Sequence, residues 1–175
     1  MAGQVDVCRS LSLTVGQAFA VLATEEHWRA CLRLAPEMCS ELIEFTCDDT
    51  VVDVRTRSIL PLDWLPGPVQ RRLRAAPTLL RHERWTLHTP DAAWADITID
   101  IDVARVAASA AGRGSLTARP PDGGLVDVHL ELSVPVPVLG GVIEGLVVGR
   151  VEALVRREQA LLERVFLERA FLERG

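Results

Sequence analysis

The sequence contains no lysine, no asparagine and no tyrosine, and every one of its 19 basic residues is arginine. Folding physics does not require this, since lysine and asparagine are ordinary surface residues. It is the pattern expected of codon usage in a GC-rich gene. Aromatic residues make up only 5% of the chain and the formal net charge is −5. With no basic run longer than a pair such as Arg71-Arg72, the chain lacks the positive face and stacking platform of a nucleic-acid binder. The four cysteines, Cys8, Cys31, Cys39 and Cys47, form no C-x-x-C pair, and His27, His82, His88 and His129 are scattered. Clustered zinc ligands are therefore missing, and neither a metal nor a cofactor is expected. Long hydrophobic runs are missing too. The most apolar stretch, Val134 to Gly149, is interrupted by Pro135, Pro137, Gly140, Gly141 and Glu144. It falls short of the roughly 20 residues a spanning helix needs, so no stable membrane insertion is expected. The start, Met-Ala-Gly-Gln-Val-Asp, has no basic and apolar leader pattern, and a cytoplasmic location is the expectation.

What is present is ample for a core. The 175 residues are 49% apolar and 25% charged, the balance of an ordinary globular chain. A single domain over residues 1–175 is expected. Val5, Val7, Leu11 and Leu13 alternate with Asp6, Cys8, Ser10 and Ser12, which predicts a strand over 3–13. Thr14 and Thr24 read as caps of two short helices, the second placing Trp28, Cys31 and Leu32 on one face. Alternation resumes over 39–47, with Ile43 and Phe45 sharing a face, and over 51–59, joined by the turn Cys47-Asp48-Asp49-Thr50. Further strands are expected over 78–88, 93–103, 108–119 and 125–134. Arg113-Gly114 inside this pattern signals a bulge or a close backbone approach.

Two segments break the alternation. Leu60 to Pro68 carries three prolines and Trp64, and cannot be a regular strand. After Pro137 the period becomes helical and stays so for roughly 30 residues. The predicted fold class is α+β: a curved antiparallel β-sheet wrapped around a long C-terminal helix, with two short helices after strand 1. An apolar sheet face needs such a cover, and the arrangement encloses a volume with the proline-rich loop near its mouth.

Four stretches carry a resemblance. They are the first strand and helix ending in Glu26-His27-Trp28-Arg29, the loop Leu60–Pro68, Glu83-Arg84-Trp85, and Val134 to Glu144 with its Val-Pro-Val-Pro-Val-Leu-Gly-Gly run. Together they resemble the DUF2505-type actinobacterial family of the START-like, polyketide cyclase and Bet v 1-like superfamily, which has the helix-grip fold. The match spans nearly the whole chain and departs around Val103–Ala111, where an Ala-rich segment replaces a Pro-containing one. The resemblance implies a cavity for a hydrophobic ligand. It implies no particular activity, because the fold hosts carriers, cyclases, dehydratases and co-chaperones.

The expected function is therefore binding or carriage of a small hydrophobic or amphipathic molecule, lipid-like or polyketide-like. The expected lining is Phe45, Trp85, Ile97, Ile99, Leu130, Val147, Val151 and Leu154, with Trp28 and Trp64 near the opening and Thr56 or Glu83 orienting the ligand. An alternative is a cavity enzyme of the cyclase or dehydratase type with Glu83 as acid or base, if Trp85 and Glu83 face inward. Against it stands a simple ion pair of Glu83 with Arg81 or Arg55. A third reading is an interaction module or homodimer through Phe166, Leu167, Phe171 and Leu172. Other constellations read more simply. Asp96, Asp100 and Asp102 lie on a solvated strand face, Gly140-Gly141 forms a tight turn, and His27 with Cys31 reflects helix packing.

Overall fold

The computed structural model describes residues 3–71, 73–89, 93–105, 108–134 and 140–172, and in the last stretch the side chains from 149 to 171. The described residues form seven strands: β1 (Gly3–Leu11), β2 (Glu41–Cys47), β3 (Val51–Ile59), β4 (Thr78–Leu87), β5 (Trp94–Ala104), β6 (Ala108–Arg119) and β7 (Gly123–Ser133). They form one sheet in the order β1-β7-β6-β5-β4-β3-β2. Every neighbouring pair is antiparallel. Helices α1 (Val15–Leu22) and α2 (Glu25–Leu32) connect the two edge strands, α3 (Gly67–Gln70) is a single turn, and α4 (Gly140–Leu172) is the long cover. Helix α4 packs on β1, α1 and α2.

Period-two alternation sets the sheet's sidedness. Val5, Val7 and Leu11 of β1, Val126, Val128, Leu130 and Leu132 of β7, Ile97 and Ile99 of β5, and Val52 and Val54 of β3 are all buried in one core. Leu161 and Leu162 of α4 are buried with 4% and 5% exposure, so the helix is fastened near its C-terminal half. Glu163 beside them accepts hydrogen bonds from the Ser12 backbone N–H and hydroxyl. The opposite sheet face is polar, and Asp100 and Asp102 lie exposed on it.

Local chemistry explains the joints. Thr14 forms a full capping box: Oγ1 accepts from Gln17 N–H, and Gln17 Oε1 accepts from Thr14 N–H. Thr24 does not cap in the expected way, because its hydroxyl donates back to the Val21 carbonyl at 2.7 Å. Asp48 Oδ1 accepts from the N–H groups of Thr50 and Val51, closing the β2–β3 turn. Those donors hold the Asp48 carboxyl below the usual carboxylate range. On β2 the expected pairing of Ile43 with Phe45 is overturned. The register shifts between Leu42 and Glu44, so Ile43 is a bulge residue that stands 51% exposed, and Leu42 joins Phe45 on the core side. At Gly114 the alternative of close approach holds. The pairing of β6 with both neighbours is in register, and a Cβ there would lie 2.3 Å from the Asp127 carbonyl oxygen.

Candidate functional site

The inward face of β3 and β4 changes character halfway along. Toward β5 it is apolar, with Trp85, Ile97 and Ile99 buried. Beside them sit the buried polar residues Thr56, Ser58 and Glu83. Alternation on β4 points Arg81, Glu83 and Trp85 to the same side, and all three meet there. The Trp85 indole N–H donates to Glu83 Oε1 at 2.6 Å. Arg81 pairs with the other oxygen of Glu83, and it donates to both oxygens of Glu158 on α4 at 2.8 and 3.3 Å. A chain of polar contacts therefore crosses from sheet to helix.

Two residues of α2 adjoin this chain. His27 is buried with 3% exposure, and its Nε2 lies 3.5 Å from the Cys31 thiol. Burial lowers the His27 pKa to about 4, against a smaller upward pull from Glu158. The ring is neutral at physiological pH. Burial first, and then Glu158, push the Cys31 thiol well above its usual range, which rules out an activated thiolate. Burial also dominates Glu83, raising its carboxyl above the ordinary range. The nearby Arg81 opposes the shift and the like charge of Glu158 adds to it. Arg81 keeps its charge, since its two carboxylate partners outweigh its own desolvation. Among the described residues, His27 Nδ1 and Gln159 Nε2 are buried without a hydrogen-bond partner, while Glu83 Oε2 is met by the Arg81 guanidinium.

The structure brings Thr56, Glu83, Trp85, Ile97, Ile99 and Leu130 onto the buried inward face. Phe45 and Val151 are partly buried and pack against the same core, and Leu154 is half-buried on α4. Trp28 is a core residue whose indole N–H donates to the Leu22 carbonyl at 2.7 Å. Trp64 is half-buried in a short 3-10 turn, Leu62–Trp64, and lies under the Arg150 guanidinium at 4.0 Å. The side chains of Val147 and Leu172 lie outside the described residues, and Gly140 and Gly141, expected in a tight turn, are instead the first residues of α4. Of the two ion pairs weighed for Glu83, the one with Arg81 forms, while Arg55 pairs with Glu44 at 3.4 Å. Sequence reasoning missed Glu158, Gln159 and the burial of His27. The only signal was a Glu-Gln pair at 158–159 following Leu154 and Val155 and preceding Leu161 and Leu162.

Among the described residues no group of three or more metal-ligating side chains occurs, and no helix is long and apolar enough to cross a membrane.

Residues 6–165 match the model of a family described as protein of unknown function, DUF2505. No curated protein matches the sequence. Among solved structures, a START superfamily protein from Mycobacterium smegmatis is similar, with TM-score 0.55 and 14% identity over 93% of this chain and 99% of that one. Ara h 8.0201 is similar with TM-score 0.52 and 11% identity, covering 96% of this chain and 99% of that one. Dicamba monooxygenase bound to 3,6-dichlorosalicylic acid gives TM-score 0.58 and 13% identity, with 99% of this chain spanning 52% of the enzyme. The chain thus spans about half the length of that monooxygenase. At these identities the likeness is one of fold: the helix-grip fold of START-like and Bet v 1-like proteins.

Proposed function

We propose that this chain, which belongs to the DUF2505 family, binds or carries a small hydrophobic or amphipathic ligand between the sheet and α4. The carrying observation is the mixed inward face. Trp85, Ile97, Ile99 and Leu130 offer apolar surface, and Arg81, Glu83 and Glu158 offer a polar anchor beside it. Apolar burial drives entry at about 25 cal/mol per Å², and the few polar groups orient what enters. Lining roles are proposed for Phe45, Thr56, Val147, Val151 and Leu154, with Trp28 and Trp64 toward the opening. Native mass spectrometry of the purified protein, followed by denaturing extraction, tests this. A stoichiometric lipid-like or polyketide-like mass supports the reading. A clean apo mass, with tryptophan fluorescence unmoved by alkyl probes, overturns it. Trp64→Ala is expected to weaken binding, and unchanged affinity removes its role at the mouth.

A second reading, an enzyme of the cyclase or dehydratase type, is favoured by one observation: Glu83 faces inward and is held above the ordinary carboxylate range by burial. Its test is Glu83→Gln against a substrate identified from the extracted ligand; unchanged turnover removes it. The reading also proposes one helix-grip domain over 1–175 acting in the cytoplasm of an actinobacterium, and a homodimer through the end of α4. Leu167 and Phe171 stand 62% and 80% exposed there. A dimer that survives truncation after Arg164 in sedimentation excludes that contact.

A further inference from the structure

The two ends of the sheet carry opposite charge. Strand register defines them: Glu41 pairs with Arg57, Ile59 with Thr78, Thr78 with Ala104 and Val103 with Ala108, so these residues share one end. The loop 60–77 and the β5–β6 connection lie there, and they expose Arg71, Arg74 and Arg105. Arg150 of α4 joins them, exposed and over the Trp64 ring of that loop. At the other end the β2–β3 and β6–β7 turns expose Asp48, Asp49 and Asp122. A chain of net charge −5 thus gathers arginines from three segments that the sequence shows only as scattered. Asp63 and Asp102 are the exposed acids beside them. Glu41 is taken by Arg57, and the link 33–40 adds one charge of each sign, Arg33 and Glu37. Among the described residues none of Arg71, Arg74, Arg105 and Arg150 forms an ion pair.

Apolar side chains border the same end. Ile59, Leu62 and Leu80 stand 45%, 37% and 48% exposed. Ile59 closes β3 where the loop begins, Leu62 opens the loop's 3-10 turn, and Leu80 lies opposite Arg57 on β4. The loop is a built platform. Leu60 N–H donates to the Pro77 carbonyl at 2.9 Å and joins its two ends. Gln70 Nε2 donates to the Leu65 carbonyl at 2.6 Å. Leu65, Val69 and Leu73 pack with Val134 and Ala108 in a cluster apart from the main core. We propose that this end docks on the surface of an anionic lipid bilayer, with the arginines at the headgroups and Leu62, Ile59 and Leu80 at the headgroup–acyl boundary. Such an interface rewards exposed cations and exposed apolar side chains together. Nucleic acid would match the arginines alone and leave the leucines in water. The acidic far end is repelled by the same surface, so the charge separation orients the chain as well as attracting it. The contact is adsorption, since no helix among the described residues is long and apolar enough to cross. It stands independently of any ligand between sheet and helix.

The test is co-sedimentation of the full chain with vesicles of phosphatidylcholine alone or mixed with phosphatidylglycerol. Binding to the mixed, anionic vesicles is expected to be at least about tenfold tighter, and to be lost as salt rises from about 50 to about 500 mM. Arg71→Gln combined with Arg74→Gln should weaken it by about tenfold or more. Arg119→Gln combined with Arg164→Gln removes the same charge at the acidic end, where Arg119 pairs with Gly123 and Glu163 holds Ser12. That pair should leave binding within about twofold. Leu62→Ser should weaken it by about threefold at every salt concentration. Equal binding to both kinds of vesicle, or to neither, overturns the proposal, and this comparison needs no variant. Equal losses in the two arginine pairs overturn it too, because net charge alone would then govern binding. So does unchanged binding of Leu62→Ser, or a DNA duplex bound as tightly as the anionic vesicles at the same salt.

Discussion

Strand β4 carries two carboxylate–cation clusters, one on each side of the sheet, built from alternate residues. On the outer side Asp53 of β3 accepts from His82 at 2.9 Å and from Arg84 at 2.7 Å. On the inner side Glu83 meets Arg81 and Trp85, and Glu158 closes the group from α4. The chemistry is nearly the same, yet the outcomes are opposite. Burial pushes Asp53 up, but the bonds from His82 and Arg84 outweigh it and its carboxyl lies below the ordinary range. Burial pushes Glu83 up as well, and there the single guanidinium is shared with Glu158 and does not bring it back. Two donors on one carboxylate make a structural clasp; one guanidinium shared by two carboxylates leaves the buried carboxyl raised.

The comparison can be broken most sharply by deleting the cations. Arg81→Ala leaves two carboxylates enclosed without a cation, with only the Trp85 N–H on Glu83, and is expected to cost about 3–5 kcal/mol in urea unfolding at neutral pH. Arg84→Ala on the outer side should cost under about 1 kcal/mol, since the Arg84 side chain is 54% exposed and His82 remains on Asp53. Equal losses would mean that the inner cluster is not desolvated.

The next largest effect is that of His27. Unfolded, it takes a proton below its ordinary 6.5; folded, it resists until about 4. Stability is therefore lost as pH falls through that window, by up to about 3 kcal/mol at about 1.4 per unit. Denaturation midpoints for His27→Gln should lose this acid slope.

Glu83 and Asp53 should then show slopes of opposite sign. Glu83 ionises near its ordinary 4.5 when unfolded but keeps its proton to higher pH when folded, so its contribution is full below 4.5 and fades as pH rises. Asp53 contributes fully above its ordinary 3.8, and that contribution is lost as pH falls through its lower folded value. Glu83→Gln should flatten the first slope and Asp53→Asn the second. Parallel slopes for the two would refute the contrast. Smallest of all, Glu44→Gln breaks the exposed Arg55 pair and should change stability by less than about 0.5 kcal/mol.

Much of the frame was legible from residues close together in the chain. Alternation marked all seven strands to within a few residues, and Thr14 announced the first helix. The failures have a local cause as well. Nothing in Leu42-Ile43-Glu44 shows that one residue is extra, because a bulge is defined by the partner strand, here Thr56 and Arg55. Thr24 looked like a cap because the residue type is right, but its hydroxyl found the Val21 carbonyl instead. In the site, Glu83 and Trp85 were recognisable as a pair on one strand face, while the direction of that face was not.

Glu158 is the clearest limit. It lies 77 residues from Arg81, on a helix whose charged positions look alike in sequence. Side-chain spacing along one element follows from backbone geometry, and so it can be read from the chain itself: which residues alternate, where a helix begins, that an apolar face exists and needs covering. Burial and pairing are properties of what lies across the gap. Only the docking of α4 and α2 over the sheet made His27 neutral, put a second carboxylate against Arg81, and turned an ordinary Glu83 into a buried carboxyl that holds its proton to higher pH.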